Sequence, residues 1–187
     1  MFLNEKEFLD IEKHLELQDK KREEVISESR IIIKLSKEII YALHRHDIAS
    51  AKKAVVEITK NVKNLPDHAS TNMSSVARQE YVEALGFFHF VADKRIPTRK
   101  ELGVDATDYL LGLCDLTGEV MRRGVNSVIN KNYKEAMHCR DLVEEIYDQF
   151  MKFDLPNSEL RKKSDAIKWN LRKLEDVAYD IKLKLEK

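Results

Sequence analysis

The chain has 187 residues, of which 35% are charged and 43% are hydrophobic, and Lys+Arg and Asp+Glu both number 33. This length suits a single domain over residues 1–187, and the zero net charge excludes a globally basic protein, so any nucleic-acid surface must be a local patch. With only 5 Gly and 3 Pro, turns are scarce, which favours a few long amphipathic helices over many short strands.

The first predicted helix is long and runs from about Asn4 to Arg45. The stretch 18–24 is charged on all sides and is expected to lie on a surface or to contact a partner. Elsewhere in the helix, apolar residues recur at helical spacing, namely Phe8, Ile11, Leu15, Ile32, Leu35, Ile39 and Leu43. One domain cannot cover the whole of this stripe, so the sequence predicts association with other subunits.

Five more long helices are predicted, and together they indicate an all-α, long-helix bundle of about six to seven helices. A short turn closed by Gly103 separates the third of the six long helices from the fourth, and Pro156–Ser158 break the chain before the last. The expected bounds are Asp47 to Asn64, the end of the polar stretch 70–75 to Asp93, Asp105 or Thr107 to Asn130, Lys134 to Phe153, and Ser158 to Leu185.

The third helix carries two carboxylates beside an apolar segment. Residues 81–91 are apolar nearly all round, which predicts burial. Glu80 and Glu83 lie at i and i+3, on the face that continues as Phe87 and Phe90. Because an isolated buried carboxylate is costly, each must be paired, protonated or bound to a metal.

The fourth helix repeats this situation. Asp115 and Glu119 lie at i and i+4, on a face that also carries Gly112 and Arg122. If the two helices pack together, four carboxylates converge, and such hard oxygen ligands suit Mg²⁺ or Mn²⁺. The alternative is that these are ordinary solvent-facing helix carboxylates, since Glu-x-x-Glu is common in charged helices.

Basic residues supply a candidate nucleic-acid surface. Arg122 follows Glu119 by one turn and is therefore placed to hold a phosphate beside a metal. The residues predicted to bind nucleic acid are Arg122, Arg123, Lys20 and Arg22.

Other candidate residues are weaker. Glu135 and His138 form one Glu-x-x-His pair, whereas a di-iron bundle needs that pair on two helices. The histidines near predicted loops, His44 among them, have no ligand spacing, and Trp169 is expected in the core.

The two cysteines and the first residues of the chain give information about where in the cell the protein is expected. Cys114 and Cys139 form neither a disulfide framework nor a zinc motif, which favours reduced thiols and a cytoplasmic protein. The first residues lack a basic start followed by an apolar run, so no signal peptide is predicted. No apolar stretch reaches the roughly 20 residues of a membrane span, so no membrane partner is predicted.

The two acidic segments resemble those of the translin family, and within it they are more similar to translin-associated factor X than to translin. The resemblance rests on residues 79–84 and 108–122, with further similarity in 125–128 and 174–180. It implies an all-α fold, a barrel-like octamer, and Mg²⁺-dependent cleavage of single-stranded RNA by the factor X subunit. The acidic residues of that subunit match Glu80, Glu83, Asp115 and Glu119, and a basic position near the RNA path matches Arg122.

Two departures from factor X shape the expected assembly. The family's eukaryotic members have a basic N-terminal extension and a longer loop before the second motif, whereas the loop 93–105 is short here. We therefore expect a prokaryotic-type homologue that forms a homo-oligomer, with the need for a separate translin subunit left open. Single-stranded RNA is the expected partner, with single-stranded DNA a second candidate.

Three other functions compete with the ribonuclease. One is a non-catalytic scaffold that binds single-stranded nucleic acid. Another is an all-α nucleoside triphosphate pyrophosphohydrolase, although such enzymes carry Glu-x-x-Asp as the second pair and this chain has Asp115-x-x-x-Glu119. A third is a helical adaptor in which every carboxylate is merely solvated.

Overall fold

The computed structural model describes residues 3–65, 72–155 and 159–185. Within these ranges every regular element is a helix, which confirms the predicted all-α bundle. The helices are α1 (Glu5–His44), α2 (Ile48–Asn64), α3 (Met73–Asp93), α4 (Arg99–Leu102), α5 (Ala106–Ile129), α6 (Tyr133–Phe150) and α7 (Glu159–Leu185).

Helices α3 and α5 lie at the centre of the bundle. α3 packs between α1 and α5, and α5 also packs against α6 and α7, while α2 packs mainly against α1. The fully buried side chains Phe87 and Val82 of α3 and Leu116 and Val120 of α5 belong to the hydrophobic core. This arrangement brings the two acidic segments of the sequence against each other.

Local capping explains most of the helix bounds. Asp47 Oδ1 accepts a hydrogen bond from Ser50 N at 3.0 Å, and Asp105 Oδ1 accepts one from Asp108 N at 2.9 Å. Asp105, rather than Thr107, is therefore the N-cap of α5. Gly103 closes the short helix α4 with a φ of 68°, a left-handed conformation that favours glycine.

Three predicted bounds differ from the structure. α3 begins at Met73, before the end of the polar stretch, and Ser74 already lies buried inside the helix. α6 begins one residue early, after its cap Asn132, and ends at Phe150 instead of Phe153. The predicted break at residues 156–158 lies outside the described residues.

The first part of α1 extends beyond the rest of the chain. Every residue from 3 to 24 is exposed, whereas Val25 is the first buried residue of the helix. Phe8, Ile11 and Leu15 are 54%, 44% and 57% exposed. The prediction that one domain leaves part of this stripe uncovered is confirmed.

Further observations bear on the remaining predictions. Cys114 and Cys139 are buried free cysteines. Trp169 is 64% exposed, so its predicted place in the core was wrong. Among the described helices, none is long and apolar enough to cross a membrane.

Candidate functional site

The site begins with the close contact between α3 and α5. A Cβ atom added at Gly112 would lie 2.6 Å from Val82 Cβ and 2.7 Å from the carbonyl oxygen of Gln79. One at Gly86 would lie 2.8 Å from a methyl group of Leu116. Because a side chain at Gly112 would meet backbone and a Cβ atom of α3, this glycine allows the two acidic faces to approach, whereas the end of the Leu116 side chain could move away from a side chain at Gly86.

The four predicted carboxylates form one acidic cluster, which comprises Glu80, Glu83, Asp115 and Glu119. Burial, and to a lesser extent the negative charges of the other three members, raise the pKa of Glu83 to about 8, while Lys163 opposes them. Burial also raises the pKa of Glu80, to which Asp115 and Glu119 add while Lys37 opposes them. The structure thus places all four groups within electrostatic range of one another.

The two carboxylates of α5 have partners from outer helices. Lys163 Nζ, on α7, donates to Asp115 Oδ2 at 2.6 Å. His44 Nε2, near the end of α1, donates to Glu119 Oε2 at 2.5 Å, and Arg122 Nη1 lies 3.7 Å from that same oxygen. Each carboxylate of α5 is therefore held by a donor that lies far away in the sequence.

The two carboxylates of α3 differ, because neither Glu80 nor Glu83 has a hydrogen bond or an ion pair within the described residues. A partly buried carboxylate without such a partner must take up a proton or bind a cation. The pKa of Glu83 is about 8, so without a cation this carboxylate binds a proton at neutral pH.

The donor set of the cluster fits a hard divalent cation. Four carboxylates offer only oxygen ligands, which Mg²⁺ and Mn²⁺ prefer. Over the described ranges, however, no three His, Cys, Asp or Glu side chains already stand close enough together to form a ready metal site. The chemistry of the cluster fits the cation, and the side chains would have to close around it.

The other predicted binding residues lie in different surroundings. Arg122 borders the acidic cluster and is 52% exposed. Arg123 points away from the cluster, and its side chain is only 12% exposed. Its Nε donates to Glu135 Oε1 at 2.7 Å, and its Nη1 donates to the carbonyl oxygen of Leu43 at 3.3 Å. The structure gives Arg123 an ion pair with Glu135, and its contact with nucleic acid stays a prediction.

Lys20 and Arg22 lie on the exposed part of α1. Arg22 Nη1 is 4.0 Å from Asp19 Oδ1. Within the described residues, no hydrogen bond or ion pair joins Lys20 or Arg22 to the acidic cluster.

Sequence reasoning missed three residues beside the cluster, namely His44, Lys163 and Gln79. The His44 ring packs against Phe87 with ring centroids 5.0 Å apart, and its partner Glu119 is 75 residues away in the sequence. Helical spacing cannot reveal such pairs, because it relates only residues within one helix.

Comparisons with known proteins agree on one family. A family model for the translin family matches residues 20–185. An uncharacterized protein of Methanocaldococcus jannaschii is 31% identical over 86% of this chain and 76% of that protein. Translin-associated protein X of Mus musculus is 24% identical over 95% of this chain and 78% of that protein.

Solved structures show the same fold. The crystal structure of apo-NeC3PO is similar with a TM-score of 0.84 and 29% identity, over 96% of this chain and 98% of that one. A complex of AfC3PO with duplex RNA gives a TM-score of 0.83 and 23% identity, over 95% and 97% of the two chains.

Proposed function

This chain belongs to the translin family, and we propose that it is a divalent-metal-dependent endoribonuclease that cleaves single-stranded RNA in the cytoplasm. The observation that carries the proposal is Glu83. Its partly buried carboxylate lies among three others and lacks any hydrogen bond or ion pair within the described residues. An unpaired buried carboxylate does not stabilise the fold, but it is well suited to bind a cation.

The acidic cluster would hold Mg²⁺ or Mn²⁺ between α3 and α5. A divalent cation in such a site activates water and offsets the charge that develops on a phosphodiester. His44 orients Glu119 towards the cluster, and Lys163 holds Asp115 at the edge of the cluster. With water as the nucleophile, the ribose 2′-hydroxyl takes no part, and the products carry 5′-phosphate and 3′-hydroxyl ends.

RNA binding is assigned to the exposed border of the cluster. The Arg122 guanidinium is half-exposed beside Glu119, where it can donate to a phosphate of the strand. One fold neighbour was solved with duplex RNA, whereas we propose single-stranded RNA as the substrate here. Binding measurements must therefore compare both forms, as well as single-stranded DNA.

Assembly into a homo-oligomer, with an octamer as the proposed form, completes the function. The exposed apolar residues of α1 support it, because a stripe that one chain leaves uncovered suits a contact with other copies. Whether a separate translin subunit takes part is tested by the activity of the purified chain alone.

A cleavage assay tests the proposal. The protein is incubated with end-labelled single-stranded RNA in Mg²⁺, in Mn²⁺ and in EDTA, and the product ends are identified. We expect cleavage with either metal and none in EDTA. Glu83→Gln keeps the shape of the side chain but removes its charge, so it should abolish cleavage. Glu57→Gln, at an exposed position of α2, is the matched control and should cleave like the wild type.

The same assay separates the alternatives. RNA binding without cleavage would identify a non-catalytic scaffold, and hydrolysis of nucleoside triphosphates would identify a pyrophosphohydrolase. Equal cleavage by the wild type and by Glu83→Gln, or cleavage that EDTA does not affect, would contradict the proposed mechanism.

A further inference from the structure

The acidic cluster is divided between paired and unpaired carboxylates. Glu80 and Glu83 on α3 have no hydrogen bond or ion pair in the described part of the chain. On α5, by contrast, Asp115 holds the ammonium group of Lys163 at 2.6 Å. Part of the cluster therefore already contains a positive charge that the protein itself supplies.

The position of Lys163 is well defined. Besides Asp115, its Nζ lies 3.4 Å from Gln79 Oε1. Gln79 is fixed in turn, because its Nε2 donates to Ser75 Oγ at 3.0 Å and to Asp108 Oδ1 at 3.3 Å. A buried amide thus directs its oxygen towards the ammonium group, and α3, α5 and α7 meet at this point.

The ammonium group can nevertheless leave without any movement of a helix. The side chains of Lys163 and Asp115 are 30% and 35% exposed, so the pair lies at the solvent edge of the cluster. A lysine ammonium is carried on a flexible four-carbon stem. A divalent cation and an ammonium group on the same carboxylate repel each other at close range.

We propose that Lys163 is a displaceable counterion of the acidic cluster. It holds Asp115 while the cluster lacks a divalent cation, yields that carboxylate when the cation binds, and then contacts a phosphate of the RNA strand. This inference rests on the proposed metal-dependent function and adds a positioning role for a residue of α7. It predicts that Lys163 competes with the metal for Asp115 and strengthens the binding of RNA.

A metal titration tests the competition without any reaction. Calorimetry measures the affinity for Mn²⁺ of the wild type, Lys163→Met and Lys163→Gln, without RNA. Loss of the charge-assisted hydrogen bond should tighten Mn²⁺ binding by about five- to tenfold in both variants. Lys162→Met, at the neighbouring exposed position, is the matched control and should change the affinity by less than about twofold. Unchanged or weaker binding by both Lys163 variants would overturn the proposal.

A merely structural salt bridge would not produce that gain, because its loss would loosen the cluster and weaken metal binding. Circular dichroism and light scattering confirm that each variant keeps the fold and assembly of the wild type. If one of the two Lys163 variants fails this check, the other decides the result.

A double-mutant cycle in EDTA tests the contact with RNA. Asp115→Asn releases Lys163, so it should increase the affinity for labelled single-stranded RNA, measured by fluorescence anisotropy. The gain should be at least about threefold larger when Lys163 is present than in the Lys163→Met background, because only then is an ammonium group released. Equal gains in the two backgrounds would contradict the transfer of Lys163 to the RNA.

The outcomes separate this inference from the function on which it rests. A wild-type protein that binds no Mn²⁺ would overturn the proposed function and the inference together. A wild-type protein that binds Mn²⁺ and cleaves RNA, with Lys163 variants of unchanged metal affinity, would overturn the inference alone.

Discussion

At the scale of single residues, the carboxylate of Glu83 links stability to pH. Burial and three neighbouring carboxylates raise its pKa to about 8, whereas in an unfolded chain it is close to 4.5. Between these values the folded protein retains a proton that the unfolded chain releases. The free energy of unfolding of the metal-free protein should therefore fall as pH rises from about 5 to 8, by at most about 1.4 kcal/mol per pH unit.

Chemical denaturation in EDTA across this pH range measures the effect. Glu83→Gln has no proton to lose, so its free energy of unfolding should depend less steeply on pH and exceed that of the wild type by about 1 kcal/mol or more at pH 8. Added Mg²⁺ should stabilise the wild type more than the variant. Identical pH profiles for the two proteins would show that Glu83 is not destabilised by its surroundings.

His44 provides a second prediction at this scale. Its Nε2 donates to Glu119 Oε2 while its ring packs on Phe87. His44→Phe preserves a packed ring but removes the donor, so RNA cleavage should fall by about 10- to 100-fold, as for other residues that orient metal ligands. His89→Phe is the matched control, because His89 pairs with Asp93, and should cleave normally. Equal rates for both variants would exclude His44 from the site.

The limits of prediction from sequence are visible in these same residues. Helical spacing predicts that Glu80 and Glu83 share one face of one helix and that Asp115 and Glu119 share one face of another, and the structure brings the two pairs together. Lys163 was not found, because its contact with Asp115 joins residues 48 positions apart and depends on how α7 packs against α5. The positive charge of Arg123 predicts a contact with nucleic acid, whereas helical spacing does not reveal its ion pair with Glu135 on α6.

At the scale of elements, most of the helix bounds could be predicted from the sequence, whereas most of the contacts between helices could not. Capping is a local property, so Asp47 indicated the start of α2 correctly, and Asp105, one of the two predicted starts of α5, is its N-cap. Gly112 and Gly118 both lie inside α5, and a glycine inside a helix often marks a site where another backbone approaches closely. Only Gly112 is one, since a Cβ atom at Gly118 would meet nothing nearer than Asn170 Nδ2 at 3.9 Å.

These two glycines of α5 form a matched pair for a stability measurement. Gly112→Ala places a methyl group against Val82 and the backbone of Gln79, so it should destabilise the protein by about 1–3 kcal/mol. It should also weaken cleavage by separating α3 from α5. Gly118→Ala has space and gains helix propensity, so it should stabilise the protein by about 0.5–1 kcal/mol. Denaturant titrations measure the free energy of unfolding of each variant, and they can be compared when their denaturant slopes are equal. A Gly112→Ala variant that is more stable than the wild type would contradict the close packing.

At the scale of the whole molecule, the first part of α1 indicates that the chain does not act alone. Phe8, Ile11 and Leu15 lie on the face that continues, further along the helix, as the buried residues Val25 and Ser29. The same side of one helix is thus covered by the chain at one end and uncovered at the other. Contact with a second copy of the chain would cover the remaining apolar surface.

Substitutions on this stripe test the assembly without touching the fold, because residues 3–24 are exposed in the single chain. The wild type should scatter light as a species several times the 21.9 kDa mass of one chain. Phe8→Glu with Ile11→Glu places charges where apolar contacts are expected, so it should reduce the mass of that species while the helical content stays unchanged. Val56→Glu on α2 is the matched control, since Val56 is 70% exposed, and should leave the assembly intact. A wild type that remains a monomer at micromolar concentrations, or a double variant that assembles normally, would show that this stripe does not join copies of the chain.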